Sequence, residues 1–218
     1  MTNIVDKKPI WNYPMSYAEL CTYGTPVDYL ESTGGQWIDT GINIGEGLKF
    51  RVKYSENYEM YGCMFGGELS MQSPRIFATN HNTGYGHSMM FASLKSAGEL
   101  ELTADYTIRN GKKTINNKYT PLTSSLPRIG LFGMYTNNSS IRINTPMRIH
   151  YFECVGKVYF HPMLDLTGRP CMFDMINKKY FYNKGNGADF LPGGAVTQSK
   201  FSPTYFMHKK AAMVRAKK

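Results

Sequence analysis

Between residues 48 and 54 every second side chain is apolar: Leu48, Phe50, Val52 and Tyr54 alternate with Lys49, Arg51 and Lys53. Successive side chains of a strand point to opposite faces, so a period of two predicts a strand with one buried face and one wet face. Met147, Ile149, Tyr151 and Glu153 alternate less cleanly with Arg148, His150 and Phe152, as in a strand covered on both sides. Asn110-Gly111 predicts a type I′ hairpin, because both central residues of that turn need positive φ. Asn177-Lys178, between Phe173–Ile176 and Lys179–Tyr182, predicts a second hairpin. Strands are predicted at 36–43, 47–54, 60–65, 75–79, 87–92, 99–103, 105–109, 113–119, 128–135, 147–155, 157–161, 171–175 and 179–182. So many short strands call for two packed antiparallel sheets.

Composition agrees. Aromatic residues make up 14% of the 218, with 21 Gly and 11 Pro; aromatics suit pleated surfaces while Gly and Pro punctuate turns. One large β domain is expected, with little helix. The exception is Ser16-Tyr-Ala-Glu-Leu20, where Ser16 and Glu19 have capping-box spacing around a single turn. Cys21, Cys63, Cys154 and Cys171 share no close spacing, which argues for reduced, mostly buried thiols and against a zinc ribbon or a redox pair. No apolar run approaches the roughly 18 residues of a membrane span, and Met1–Lys8 lacks the apolar core of a signal peptide. Synthesis and assembly in the cytoplasm, without a membrane, is the expectation.

Two longer stretches are more specific. The first is Tyr29-Leu-Glu-Ser-Thr-Gly-Gly-Gln-Trp-Ile-Asp-Thr-Gly41. The second is Leu164-Asp-Leu-Thr-Gly-Arg-Pro-Cys-Met-Phe-Asp174, continuing to Tyr180-Phe-Tyr-Asn183 and Gly185-Asn-Gly-Ala-Asp-Phe190. They resemble the opening and closing strands of laminin-G/concanavalin-like jelly-roll domains found in bacteriophage structural proteins, especially of gut phages. Tyr106–Lys112, Gly130–Gly133 and Met147–Glu153 extend the resemblance more weakly, so it spans about residues 27 to 191. It implies an all-β, antiparallel two-sheet jelly-roll sandwich over residues 27–197. It further implies a non-enzymatic virion component of the capsid or tail (decoration, fibre or assembly protein), with other virion proteins and further copies of the chain as partners. The alternative is a carbohydrate-binding module for host attachment, and a glycoside hydrolase comes third.

The flanks carry their own signals. Residues 1–26 read as an arm, since Pro9, Pro14 and Pro26 favour extended backbone, and Trp11, Tyr13, Tyr17 and Tyr23 make it adhesive. Residues 198–218 read as a basic tail. Of the net charge of +9, residues 200–218 contribute six cations and no acid, and the other 199 residues carry 19 basic against 16 acidic groups. Basicity confined to a tail is not the spread that nucleic-acid binding requires, so nucleic acid is not an expected partner. Phe201, Tyr205 and Phe206 beside Lys209, Lys210 and Arg215 fit a tail that docks on a neighbouring subunit, with Trp11, Tyr13 and Tyr17 as its N-terminal counterpart. Deleting 1–24 and 200–218 should on this reading leave a folded, soluble sandwich that no longer joins particles.

No catalytic constellation emerges. Glu99 and Glu101 stand at i,i+2, where one strand face could present two carboxylates for glycoside hydrolysis, but their apolar neighbours Leu100 and Leu102 indicate an ordinary strand. His81, His87, His150, His161 and His208 form no metal-binding or nucleophile motif. No cofactor is expected. Calcium is the one ion to weigh, since laminin-G domains often bind it, yet Asp39 and Asp174 have no evident carboxylate companion. Thr79–His87 reads as a polar, Gly-rich loop in which Asn80, His81, Asn82, Tyr85 and His87 could contact a glycan or a partner. Trp37→Ala should cost about 3–5 kcal/mol if Trp37 lies in the core, in a region adjoining Phe173 and Tyr180 or Phe181.

Overall fold

The computed structural model describes residues 14–201 except 46, 56–62, 69–74, 80–81, 87, 92–96, 116–127, 137–140 and 143–145. In chain order the elements are α1 (Tyr17–Leu20), β1 (Thr25–Pro26), β2 (Leu30–Ser32), β3 (Ile38–Asn43), β4 (Phe50–Ser55), β5 (Cys63–Glu68), β6 (Arg75–Thr79), β7 (Asn82–Gly86), β8 (Ser88–Phe91), β9 (Gly98–Leu102) and β10 (Tyr106–Arg109). They continue with β11 (Lys112–Ile115), β12 (Arg128–Leu131), β13 (Met134–Thr136), β14 (Ile141–Arg142), β15 (Met147–Cys154), β16 (Val158–Leu164), β17 (Pro170–Asp174), β18 (Lys179–Phe181), β19 (Leu191–Pro192) and α2 (Gln198–Phe201).

The strands form two sheets. One runs β11-β10-β9-β4-β15-β16-β17-β18, with β2 on β15, β19 on β2 and β1 on β16. The other runs β14-β13-β5-β6-β7-β8, with β12 on β5 and β3 on β12. The described chain is all-β as expected, and the two helices among the described residues are single turns. It departs from a purely antiparallel design at one described pair: β13 runs parallel to β5, with Met134 opposite Gly66.

The sheets face each other across one core. Phe50, Val52 and Tyr54 of β4 are fully buried, and Phe50 and Phe152 lie 5.1 and 5.2 Å from Phe65 of the opposite sheet. β4 keeps the alternation read from its sequence. β15 does not, because its register against β4 shifts between Ile149 and Tyr151. A bulge inserts one extra residue, so the inward set is Met147, Ile149, Phe152 and Cys154, and Tyr151 turns outward. That shift is the reason the sequence pattern looked imperfect.

Turn chemistry places the hairpins. Asn110 and Gly111 have φ of 51° and 83° and join β10 to β11, as Asn-Gly predicts. Asn110 Oδ1 also accepts from the Glu99 amide at 2.8 Å, which ties the turn to β9. The second hairpin has a four-residue loop rather than the expected two-residue turn, since Asp174 pairs with Lys179 and Lys178 takes the left-handed φ of 55°. The predicted strand 128–135 is broken into β12 and β13 at Phe132, whose φ of 62° is costly for a bulky residue. Burial holds it there: Phe132 is fully buried, packs 4.7 Å from Phe190, and donates its amide to Met64 O.

Candidate functional site

The two end motifs meet. Ser32, Gln36 and Asn183 build the junction through their polar groups, with Ser32 and Gln36 buried and Asn183 half-buried. Gln36 Oε1 accepts from the Thr33 amide at 2.9 Å, while Gln36 Nε2 donates to Ala188 O at 3.2 Å. Asn183 Oδ1 accepts from the amides of Trp37 and Gly185, and the Lys184 amide donates to Trp37 O. Gly185 passes so close to Gly35 O that a Cβ would collide with it, which is why glycine stands there. Phe190, from the end of the closing motif, fills the core beside Phe132. These motif residues thus work as a lock between the ends of the domain.

The acidic motif residues are occupied in the same way. Buried Asp174 accepts from the Tyr159 and Ile176 amides through Oδ1 and from Asn177 Nδ2 through Oδ2. Asp39 accepts from the Gly41 amide and pairs with Arg128 at 2.7 Å. Asp165 accepts from Thr167, Arg169 and Tyr182. Slight burial pushes the Asp165 carboxyl up, but those donors outweigh it and bring it down to about 2. Among the described residues no three His, Cys, Asp or Glu side chains gather as metal ligands.

Trp37 is half-buried, with its ring edge-on to Tyr135 at 5.5 Å, while its neighbour Ile38 is fully buried between the sheets. Phe181 packs against that same core, but Phe173 and Tyr180 lie on the opposite face of their sheet. The sequence expectation for Trp37 is therefore too large. Trp37→Ala is expected to lower stability in urea melts by about 1–2 kcal/mol, the scale of one aromatic pair and partial burial; a loss above about 3 kcal/mol would show that the ring carries core packing after all.

The outer face of the first sheet is divided into two halves. Across β9, β4 and β15 runs an ion network: Lys49 and Arg51 reach Glu101 at 2.8 and 2.7 Å, Arg51 reaches Glu153 at 3.1 Å, and Tyr106 OH donates to Glu101. Burial pushes the Glu101 carboxyl up, but the bonds from Lys49, Arg51 and Tyr106 leave it below the usual carboxylate range. A carboxylate held ionised in this way is a poor proton donor, and Glu99 stands exposed beside it. Burial pushes the Cys154 and Cys171 thiols up to about 12, and Cys63 also upward, so these three are not activated nucleophiles.

The other half is apolar and covered by two segments that flank the strands, residues 14–24 and 196–201. Met163, Cys171 and Phe173 are fully buried on this face, together with Tyr159 and Met175. Over them lie Met15, Leu20, Val196 and Phe201. Ser16 Oγ accepts from the Glu19 amide and caps α1, the turn its spacing predicts. Tyr17 OH donates to Val196 O at 2.8 Å, its ring lies 5.5 Å from Phe201, and Tyr180 OH donates to Tyr23 O at 2.6 Å. Backbone bonds from Val27 to Pro162 O and from Val196 to Pro26 O join both segments to β16 and to each other.

Two of the terminal residues expected to bind a neighbour are thus used internally: Phe201 is buried and Tyr17 is half-buried against it. Residues 14–24 are a cover rather than a free arm, since an apolar outer face needs one. Trp11, Tyr13, Tyr205, Phe206, Lys209, Lys210 and Arg215 lie outside the described residues, as do Asn80, His81 and His87. Asn82 and Tyr85 are not in a loop, because Asn82–Gly86 is strand β7, paired with β6 on one side and β8 on the other. Its glycines and polar residues disguised it, and backbone pairing on both edges supplies what an apolar alternation would otherwise have signalled.

The comparisons add no relative. No family model, curated protein or solved structure matches the chain.

The sequence reading missed the terminal cover, the Gln36–Asn183 lock and the surroundings of His161. A signal for the cover was present in β17, where Cys171 and Phe173 alternate with Met172 and leave no polar face.

Proposed function

We propose that this chain is a structural component of a bacteriophage particle, built on a laminin-G/concanavalin-like jelly roll, that binds its neighbours through its terminal segments and performs no catalysis. The observation that carries this reading is that the described chain enters and leaves at one place. α1 touches α2, and Tyr17 is bonded to Val196. Segments 1–13, with Trp11 and Tyr13, and 202–218, with Tyr205, Phe206 and most of the tail cations, therefore continue from adjacent points on one face. Two adhesive segments anchored side by side on a rigid sandwich form a bivalent attachment, in which the first contact raises the effective concentration of the second. The polar residues of the end motifs are engaged inside the domain, which fits a scaffold whose contacts lie elsewhere.

The test is incorporation. The full chain should be found by mass spectrometry in purified particles in many copies. A chain lacking residues 1–13 and 202–218 should fold with the same melting midpoint yet be missing from them. Particles that never contain the full chain, or that take up the shortened one equally well, would remove this reading.

A further inference from the structure

His161 lies on β16 opposite Phe173 of β17 and points into the covered apolar half of the outer face. It is only 6% exposed, and neither Nδ1 nor Nε2 has a hydrogen-bond partner among the described residues. The ring of Phe201, from α2, stands edge-on to it at 5.5 Å. A buried imidazole without a partner is tolerated only while neutral, because the charged form would sit in an apolar layer with nothing to accept its protons.

We infer that His161 is an acid-operated latch: protonation of its ring releases the cover formed by residues 14–24 and 196–201 from the outer face of the sheet.

The surrounding groups set the sign. Asp28, after β1, favours the charged ring, and His150 of β15 disfavours it. Asp28 is half-committed elsewhere, since its carboxylate lies 3.5 Å from His150 Nδ1. Tyr151, Tyr17 and Cys171 share the apolar cluster; the pKa values of Tyr17 and Cys171 are raised, so neither is charged in this range. Burial dominates, and the His161 ring is pushed down to about 4 from 6.5. In the released state the ring is solvated and its ordinary value returns. A depressed histidine contributes stability that is complete above 6.5 and fades as pH falls toward 4, because the released state binds the proton first. At pH 4 the release equilibrium should be about 100-fold more favourable than at neutrality. The inter-sheet core lies on the other face of β16, where Val158 and Phe160 point, so the sandwich itself need not open.

Hydrogen exchange of the full chain, corrected for intrinsic rates, tests this between pH 7 and pH 4. The amides of Cys21, Tyr23, Val196 and Phe201, all bonded within or beneath the cover, should lose about two orders of magnitude of protection, while those of β4 and β15 keep theirs. His161→Leu should flatten the dependence, and Phe201→Ala should release the cover already at neutral pH. Unchanged protection in the wild-type chain, or the same loss in His161→Leu, would overturn the latch. Should either variant fail to fold, NMR titration of His161 in the wild-type chain decides alone. Protonation in step with release supports the latch, and protonation near 6.5 with the cover still protected refutes it.

Discussion

Phe152→Ala is expected to lower the unfolding free energy by about 3–5 kcal/mol, as removal of a large buried aromatic does. The ring is fully buried and lies 6.0, 5.2 and 6.0 Å from Phe50, Phe65 and Phe160. It therefore touches both sheets, and the cavity left behind would be walled by three rigid rings and fixed backbone, with little freedom to collapse. Against a typical domain stability of about 5–15 kcal/mol, this is a large fraction. Urea melts should show a lower midpoint with an unchanged slope. A cost below about 1 kcal/mol would mean that the sheets close over the site, and that the aromatic stack is not what joins them.

Removing residues 1–24 is expected to do far more damage than removing 1–13. The longer deletion strips Met15, Tyr17 and Leu20 from the outer face and uncovers Phe173, Met163 and Cys171. Each large apolar side chain returned to water costs about 1.5–3 kcal/mol, so several kcal/mol are lost, and the uncovered patch is of the kind that drives association. Size-exclusion chromatography should find the chain from residue 25 aggregated, and the chain from residue 14 monodisperse. A soluble, monodisperse protein starting at residue 25, with the parent's melting temperature, would show that the cover contributes nothing. The cut expected from the sequence, at residue 24, falls inside the folded unit because proline and aromatic content cannot distinguish a segment that binds a neighbour from one that binds its own sheet.

Local signals were legible where local physics decides. β4 shows its alternation because one face is core and the other a screened ion network. The Asn110-Gly111 turn is legible because positive φ at two successive residues leaves few other choices. Ser16 capped α1 for the same kind of reason. The failures share a different cause. β7 has no apolar alternation and exists through pairing with β6 and β8. The bulge at Ile149–Tyr151 exchanges the faces of Tyr151 and Phe152, and only the register with β4 reveals it. Phe132 holds a backbone conformation that its residue type disfavours, because Phe190 arrives from 58 positions away.

By itself, the sequence determined an all-β chain of many short strands with two hairpins, a capped turn at Ser16 and basic charge gathered at one end, since periodicity, turn chemistry and charge act over a few residues. Only the tertiary structure decided that the ends of the domain fold back over one sheet, that the motif residues Gln36 and Asn183 are used to lock it, and that His161, beneath Phe201, has no hydrogen-bond partner among the described residues. Those outcomes depend on which faces meet across long stretches of chain, and burial and hydrogen-bond satisfaction are settled by that meeting.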